Sequence, residues 1–307
     1  MLMILGLVGT AIAGGTLAAM LDGDNTIFGT RDNDEIDAGG GDDFVQGRHG
    51  HDEIDGGDGN DTLFGAQGHD TLDGGDGDDV LHGAQNNDAL TGGEGNDSLY
   101  GGVAHDTLDG GPGDDLVDGQ TGRDLAFGGE GHDTMVGGAG FDTMSGDAGD
   151  DLLMGDASND WLDGGAGNDT LEGGIEHDTL IGGDGIDVLH GERGDDVLAA
   201  GGGDRATGGE GRDTFVRVID DGPEAWFEDF TPGQDTLVVT YPDAAEVPEF
   251  GDLDFSYDDE FDETRVTLKT DLGDRLVCYL PGVTPSDITP EMVDFLSQSE
   301  AAALLAA

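Results

Sequence analysis

Gly56-Gly57-Asp58-Gly59-Asn60-Asp61-Thr62-Leu63-Phe64 is one nine-residue unit of a pattern that fills most of the chain. Stepping by nine from Asp34 gives Asp34, Asp43, Asp52, Asp61, Asp70, Asp79, Asp88, Asp97, Asp106 and Asp115. The series goes on through Asp124, Asp133, Asp142, Asp151, Asp160, Asp169, Asp178, Asp187 and Asp196, nineteen aspartates without a slip. Two residues after each stands an aliphatic side chain such as Ile36, Val45, Leu63, Leu99, Met135 or Leu198, with Ala126 the one small exception. A fixed short period marks a repeat architecture whose units cannot bury an apolar face alone. Written G-G-x-G-x-D-x-U-x, with U a large apolar residue, the unit predicts a tight loop over its first six positions, where glycine permits left-handed backbone. Its last three positions predict a short strand whose middle side chain points inward. Two units make an 18-residue coil with two loops and two strands. Stacked coils align the Leu, Ile and Val rows into a narrow core.

Each loop turns carbonyl oxygens and one carboxylate toward the equivalent loop 18 residues on. Hard oxygen donors in a flexible cage suit Ca²⁺ rather than Mg²⁺ or a thiophilic metal. Alternate loops fall on opposite edges, and the two edges differ. One carries the loops ending at Asp43, Asp61, Asp79, Asp97, Asp115, Asp133, Asp151, Asp169 and Asp187. Its fourth loop position is always glycine: Gly41, Gly59, Gly77, Gly95, Gly113, Gly131, Gly149, Gly167 and Gly185. Its second is Gly39, Gly57, Gly75, Gly93, Gly111, Gly129, Gly165 and Gly183, with Asp147 the exception. Nine stacked loops leave about eight gaps, hence about eight well-formed calcium sites.

The other edge ends its loops at Asp34, Asp52, Asp70, Asp88, Asp106, Asp124, Asp142, Asp160, Asp178 and Asp196 but loses glycine. Asp32, Asn86, Ala104, Ser158 and Glu176 hold the fourth position, and Thr30, Arg48, Ala66, Ala84, Gln120, Asp156 and Glu192 the second. Weaker or missing calcium is expected there, whereas full occupancy of both edges would bring the total to about seventeen. Seven of the eight histidines border this edge: His49, His51, His69, His82, His105, His177 and His190. His51 and His69 share a loop position one coil apart and are expected to stack about 5 Å apart. Solvated surface histidines, a transition-metal site and a pH-sensitive patch are the three readings of them. Strands leading into this edge point Phe28, Phe44, Phe64, Val80, Tyr100, Leu116, Val136, Leu152 and Met154 outward. That apolar ribbon is a candidate surface for a protein partner or self-association. The opposite face shows Glu35, Asp37, Glu53, Asp55, Thr71, Asp73 and Asp109.

The repeats over residues 24–213 resemble the RTX (repeats-in-toxin, haemolysin-type) calcium-binding nonapeptides. The resemblance implies an all-β fold, a right-handed parallel β-roll that is a Ca²⁺-stabilised solenoid. It also implies Ca²⁺ between successive loops and, commonly, export by a type I secretion system. After Asp196 the register breaks, with Arg205 near the expected aspartate and the next good loop ending at Asp213. Strand-like runs then appear at Thr214–Val218, Trp226–Phe230, Thr236–Tyr241, Arg265–Thr270 and Arg275–Leu280. Asp213-Thr214-Phe215-Val216 with Asp229-Phe230-Thr231-Pro232-Gly233-Gln234-Asp235 resembles the segment that follows RTX arrays in serralysin-type proteins, which implies a C-terminal cap. Asp287–Ala307 reads as a terminal helix and candidate export signal. Residues 1–21 are uncharged and apolar or small. A helix of that length would extend about 31 Å, so anchor, signal and N-terminal cap all stay open. The expected organisation is thus an N-terminal helical segment (1–21), the β-roll (22–213) and a C-terminal β-rich cap (214–307).

The chain of 307 residues holds 70 Asp and Glu against 10 Lys and Arg, a formal charge of −60. Such a polyanion is repelled by nucleic acid and by anionic membrane surfaces, so membrane contact is expected only through residues 1–21. The single Cys278 excludes an intramolecular disulfide framework and is expected to be a buried structural thiol. No H-E-x-x-H, G-x-S-x-G or phosphate-loop motif is present, so an enzyme is not expected. Ice binding is disfavoured because the outward threonines form no unbroken rank. The expected function is an exported, extracellular or cell-surface calcium-binding protein that folds on extracellular Ca²⁺ and has a structural or interaction role. The alternative is a calcium-dependent adhesin-like or accessory module of a larger surface or secreted-enzyme system.

Overall fold

The computed structural model describes residues 16–18, 23–218, 223–241, 248, 252–269 and 275–306. The chain divides into two compact units, Met1–Asp151 and Leu152–Ala307, and both are parallel β-solenoids.

In the first unit consecutive strands alternate between two parallel sheets, so each strand pairs with the one 18 residues away. Leu63 lies in register with Val45 and Leu81 in one sheet, and Ile54 with Ile36 and Leu72 in the other. The inward rows Val45, Leu63, Leu81, Leu99 and Val117, and Ile54, Leu72, Leu90 and Leu108, are all buried. Ala126 is buried as well and narrows one row. Outward neighbours such as Thr62 and Phe64 are half-buried, the alternation expected of a pleated strand with one face in the core.

The strands are longer than the expected three residues. Thr62–Gln67 and Glu53–Asp58 run through the next unit's first three positions, where Gly57 pairs with Gly75 and Asp58 with Asp76. The reason is that left-handed backbone at the second position turns the chain without ending the ladder. The Asp58 N–H still donates to the Gly39 carbonyl at 2.9 Å, and that of Gly59 to the Asp76 carbonyl at 2.7 Å. The loop proper is therefore only three residues, as in Gly59–Asp61.

The expected N-terminal helix is not what the described residues form. Thr16–Ala18 is a strand, parallel to Glu35–Asp37 with Leu17 opposite Ile36, so it satisfies the open edge of the first coil. Residues 1–15 and 19–22, on which the rest of the anchor, signal or cap reading falls, lie outside the described residues.

In the second unit the rows Leu153, Leu171 and Leu189, and Leu162, Leu180 and Leu198, form the core. The coil then continues past the repeats. Leu198 is followed in register by Phe215, Leu237 and Val293 in one sheet, and Ala206 by Phe227 in the other. Arg275–Pro281 adds a parallel strand beside Ala225–Phe227, and the antiparallel strands Glu263–Leu268 and Leu253–Asp258 complete that sheet. The terminal helix is shorter than expected. Asp287 ends one 3-10 turn, Pro285–Asp287, and a second, Pro290–Met292, is followed by the strand Val293–Ser297. Pro290 cannot sit inside a helix, and a Ser297–Glu300 capping box starts the helix only at Gln298–Leu305. Trp161 Nε1 donates to the Leu305 carbonyl at 2.8 Å, and Leu305 packs against the cluster Ala199, Val216 and Val238.

Candidate metal centre

The aspartates of the period form two ladders, one along each edge. In each, the backbone N–H of one aspartate donates to Oδ1 of the aspartate one coil on. The distance is 2.6 Å from Asp61 to Asp79 and 2.7 Å from Asp97 to Asp115 on the glycine-rich edge. It is 2.8 Å from Asp70 to Asp88 and from Asp106 to Asp124 on the other. These bonds fix the carboxylates in the interior, where they are buried. The second oxygen is left over. Among the described residues, Oδ2 of Asp43, Asp61, Asp79, Asp97, Asp115, Asp133 and Asp187 has no hydrogen-bond donor. The same holds for Asp52, Asp70, Asp88, Asp106, Asp124, Asp178 and Asp196 on the opposite edge. A buried carboxylate oxygen with no partner costs several kcal/mol unless a cation meets it.

The surroundings of that oxygen are also oxygen. A side chain on Gly110 would place Cβ 2.5 Å from Asp115 Oδ2 and 2.6 Å from the Gly128 carbonyl oxygen. On Gly83, at the other edge, the corresponding distances are 2.6 Å to Asp88 Oδ2 and 2.7 Å to the Gly101 carbonyl. Carboxylate and next-coil carbonyl thus converge over a glycine Cα that any side chain would block. The second- and fourth-position carbonyls stack in the same manner, that of Gly39 against Gly57 and that of Gly59 against Gly77. Among the described residues no three His, Cys, Asp or Glu side chains cluster as a metal site. The cage is built mainly from backbone carbonyls, with one carboxylate per loop. This donor set fits Ca²⁺, which takes six to eight oxygens in a flexible arrangement.

The expected asymmetry between the edges lies in strain rather than in shape. Arg48, Ala66, Ala84, Gln120, Asp156 and Glu192 at the second position, and Asn86, Ala104, Ser158 and Glu176 at the fourth, all keep positive φ, between 68° and 100°. Asp147 does the same at 66° on the glycine-rich edge. These residues hold their carbonyls where glycine would, the Ala84 oxygen against Gly102 for example. Left-handed backbone at a residue other than glycine costs about 1–2 kcal/mol. Thr30 and Asp32, in the first loop, do not adopt it. There the Thr30 N–H donates to Asp34 Oδ2 at 2.5 Å and takes the position a cation would hold.

A related substitution closes the other end. Asp204, one residue before Arg205, stands in for the missing aspartate and accepts the Asp187 N–H at 2.9 Å. On the glycine-poor edge the ladder runs from Asp196 to Asp213 (3.1 Å) and from Asp213 to Asp235 (3.0 Å). The sequence reading missed Asp204 and Asp235 as ladder members because the spacing changes to 17 and then 22 residues. Gly201 N–H donates to Asp204 Oδ2 at 2.5 Å and Thr231 N–H to Asp235 Oδ2 at 2.7 Å. Both terminal carboxylates thereby have a donor on Oδ2, which Asp79, Asp88, Asp115 and Asp124 lack.

Electrostatics follows from burial. Desolvation pushes Asp79 and Asp115 up to about 7 from an ordinary 3.8; a backbone N–H opposes the shift and the carboxylates one coil away add to it. Asp88 and Asp124 rise to about 7 on the other edge for the same reasons. At these four positions burial thus favours the neutral carboxyl, and a nearby cation would oppose that effect.

The remaining expectations can be placed. His51 and His69 stack with ring centroids 5.1 Å apart. His51 Nδ1 accepts the His69 N–H at 2.8 Å, as Asn60 Oδ1 accepts the Asp78 N–H at 3.1 Å. These histidines thus do the work of an asparagine in an outer ladder. His82 and His190 stand on strands: His82 lies between Phe64 and Tyr100, 4.7 Å from each ring. It completes the ribbon begun by Phe28 and Phe44, which the apolar pattern alone did not reveal. Cys278 is fully buried, and burial pushes its thiol up to about 12.

Comparison with known proteins agrees with this geometry. The RTX calcium-binding nonapeptide repeat (4 copies) matches residues 21–54, 47–81, 55–90, 82–117, 109–144, 145–180 and 172–205. No curated protein matches the chain. Among solved structures, the AlgE6R3 subunit of the Azotobacter vinelandii mannuronan C5-epimerase is 24% identical, covering 41% of this chain and 77% of its own, with a TM-score of 0.33. A hyperactive, Ca²⁺-dependent, β-helical antifreeze protein from an Antarctic bacterium is 21% identical over 73% of this chain and 86% of its own, TM-score 0.39. The extracellular lipase LipA of Serratia marcescens is 18% identical over 81% of this chain, which spans 40% of the lipase, TM-score 0.23. The unbroken run of matched repeats from residue 21 to residue 205, on loops that present carboxylate and carbonyl oxygens to one another, makes the chain a member of the RTX calcium-binding nonapeptide repeat family.

Proposed function

We propose that the chain is an exported, extracellular structural or interaction protein whose folding is coupled to Ca²⁺. The observation that carries this reading is the row of buried Oδ2 atoms without donors along both edges. Without metal these carboxylates repel one another, and the short strands cannot offset chain entropy. Binding and folding are then one linked equilibrium. Millimolar Ca²⁺ outside the cell would fold the chain, whereas submicromolar cytosolic Ca²⁺ would keep it open for export, for which type I secretion is the route in view. Asp Oδ2 and the first-, second- and fourth-position carbonyls would hold the ion. Metal supplies the positive charge; the glycines supply the close approach of coil to coil.

Both edges carry the same oxygens, so we propose sites on both, about seventeen in two affinity classes, the glycine-poor edge being weaker because of its strained residues. Circular dichroism with Ca²⁺ and with chelator tests the folding claim, and a strand spectrum that persists in chelator would sink it. Calcium counting on Asp97→Asn and Asp88→Asn tests the second claim. Each variant should lose bound calcium; an unchanged count in Asp88→Asn confines binding to one edge. No catalytic role is assigned. A second reading, an adhesin-like or accessory module of a larger system, is favoured by the half-exposed stack Phe44, Phe64, His82 and Tyr100.

A further inference from the structure

On the first coils of the glycine-poor edge, Arg31, Gln46, Arg48, His49 and Gln67 line an open cavity of about 570 Å³. Two of the chain's ten cationic residues therefore share one hollow in a protein of charge −60. Among the described residues neither arginine takes part in an ion pair, whereas Arg193, Arg205, Arg212, Arg265 and Lys269 do. Arg48 is held in place: Nη1 donates to the Gly29 carbonyl at 3.2 Å, and the guanidinium lies over the Phe28 ring, 5.0 Å from its centroid. Arg48 lines the cavity, and one anchored N–H leaves further guanidinium donors for a ligand. Arg48 also sits at φ 85°, left-handed backbone that it shares with Ala66, Ala84, Gln120, Asp156 and Glu192 at the same loop position of this edge.

The local field permits an anion in spite of the net charge. Arg31, His49, Gln67 and Gln85 occupy the third loop position here and bring no carboxylate. The same position on the opposite edge holds Asp58, Asp76 and Glu94.

We propose that this cavity binds an oxyanion group, carboxylate or sulfate-like, of a small ligand, clamped between Arg31 and Arg48 with the Gln46 and Gln67 amides as further donors. The site goes beyond calcium binding but requires the folded roll. The test uses the full chain at saturating Ca²⁺ and constant ionic strength, titrated with sodium sulfate and, separately, with succinate, against chloride. The readout is the NMR shift of the arginine Nε–H signals. Saturable shifts at Arg31 and Arg48 are expected, and the arm that saturates at lower concentration tells a tetrahedral from a planar oxyanion. Arg31→Gln and Arg48→Gly should each weaken binding about tenfold, as loss of a charge-assisted hydrogen bond does, while Arg123→Gln leaves it unchanged. Arg48→Gly suits the left-handed backbone, so its calcium-loaded circular dichroism should match the parent. Should it fail to fold, Arg31→Gln alone decides. Absence of saturation in both arms, or equal affinity in the arginine variants, overturns the proposal. The parent's own dichroism with and without Ca²⁺ reads the folding claim separately.

Discussion

Ala66, Ala84 and Ala104 offer a direct measure of what the glycine-poor edge gives up. All three hold left-handed backbone, with φ of 82°, 83° and 100°, and none of their methyl groups is buried in the core. Replacing each with glycine relieves about 1–2 kcal/mol of steric strain. Glycine gives back roughly 0.5–1 kcal/mol through the greater freedom of the unfolded chain. The net gain is about 0.5–1 kcal/mol per site, or about 1.5–3 kcal/mol for the triple variant if the sites add. With a urea slope of about 3 kcal/mol/M for a chain of this size, the midpoint at saturating Ca²⁺ should rise by about 0.5–1 M. The counterpart is Gly95→Ala on the other edge, where φ is 135° and a Cβ would run into the Gly77 carbonyl; there the midpoint should fall. Urea titrations followed by circular dichroism, at one fixed excess of calcium, compare the three proteins. A triple variant whose midpoint is unchanged or lower, with an unchanged slope, would refute the claim that strain separates the two edges.

Three further outcomes follow from the same geometry. The folded-state values of Asp79, Asp88, Asp115 and Asp124 lie near 7, above the ordinary 3.8. Their contribution to metal-free stability is therefore complete below about pH 4 and lost as pH rises through about 7. Calcium-stripped protein should gain strand signal on acidification from pH 8 to pH 4.5, and a flat circular-dichroism response would contradict the burial argument. Leu99→Ala, in the middle of a fully buried row, should cost about 2–5 kcal/mol in calcium-loaded urea unfolding; a loss under 1 kcal/mol would mean that the row is not a packed core. Removing residues 298–307 from a Trp226→Phe background takes away the carbonyl bonded to Trp161. The emission of Trp161 should then shift to the red, while an unchanged spectrum would show that the helix does not cover it.

The repeat made the core legible because one residue in nine must point inward, and Leu63, Leu72 and Leu81 do so at that interval. The ladder of aspartates was legible for the same reason. Two things were not. Strand length was underestimated because the pattern reads glycine as loop, whereas a glycine with positive φ can still present N–H and C=O to its neighbours, as Gly57 does to Gly39 and Gly75. The ends were misread because they obey no period. Thr16–Ala18 pairs as a strand, which a run of small apolar residues does not distinguish from a helix. Pro290 and the Ser297–Glu300 capping box were the signals that would have shortened the C-terminal helix.

The ends also explain why an array of identical sites can stop. Inside it, each Oδ2 faces carbonyls and a neighbouring carboxylate, so each coil depends on a cation it shares with the next. At Asp34, Asp204 and Asp235 the same oxygen accepts a backbone N–H, from Thr30, Gly201 and Thr231. A peptide N–H carries only part of a positive charge, but it needs no ion and belongs to the chain itself. Replacing the terminal cation with a local donor lets the last loops be satisfied whether or not calcium is bound. The sequence marks each such place by breaking the motif: threonine and aspartate for glycine at 30 and 32, and spacings of 17 and 22 residues near the other end. Departures from the repeat are thus informative at the ends, where they exchange metal for a hydrogen bond. Along the glycine-poor edge the departures keep the metal geometry and add strain.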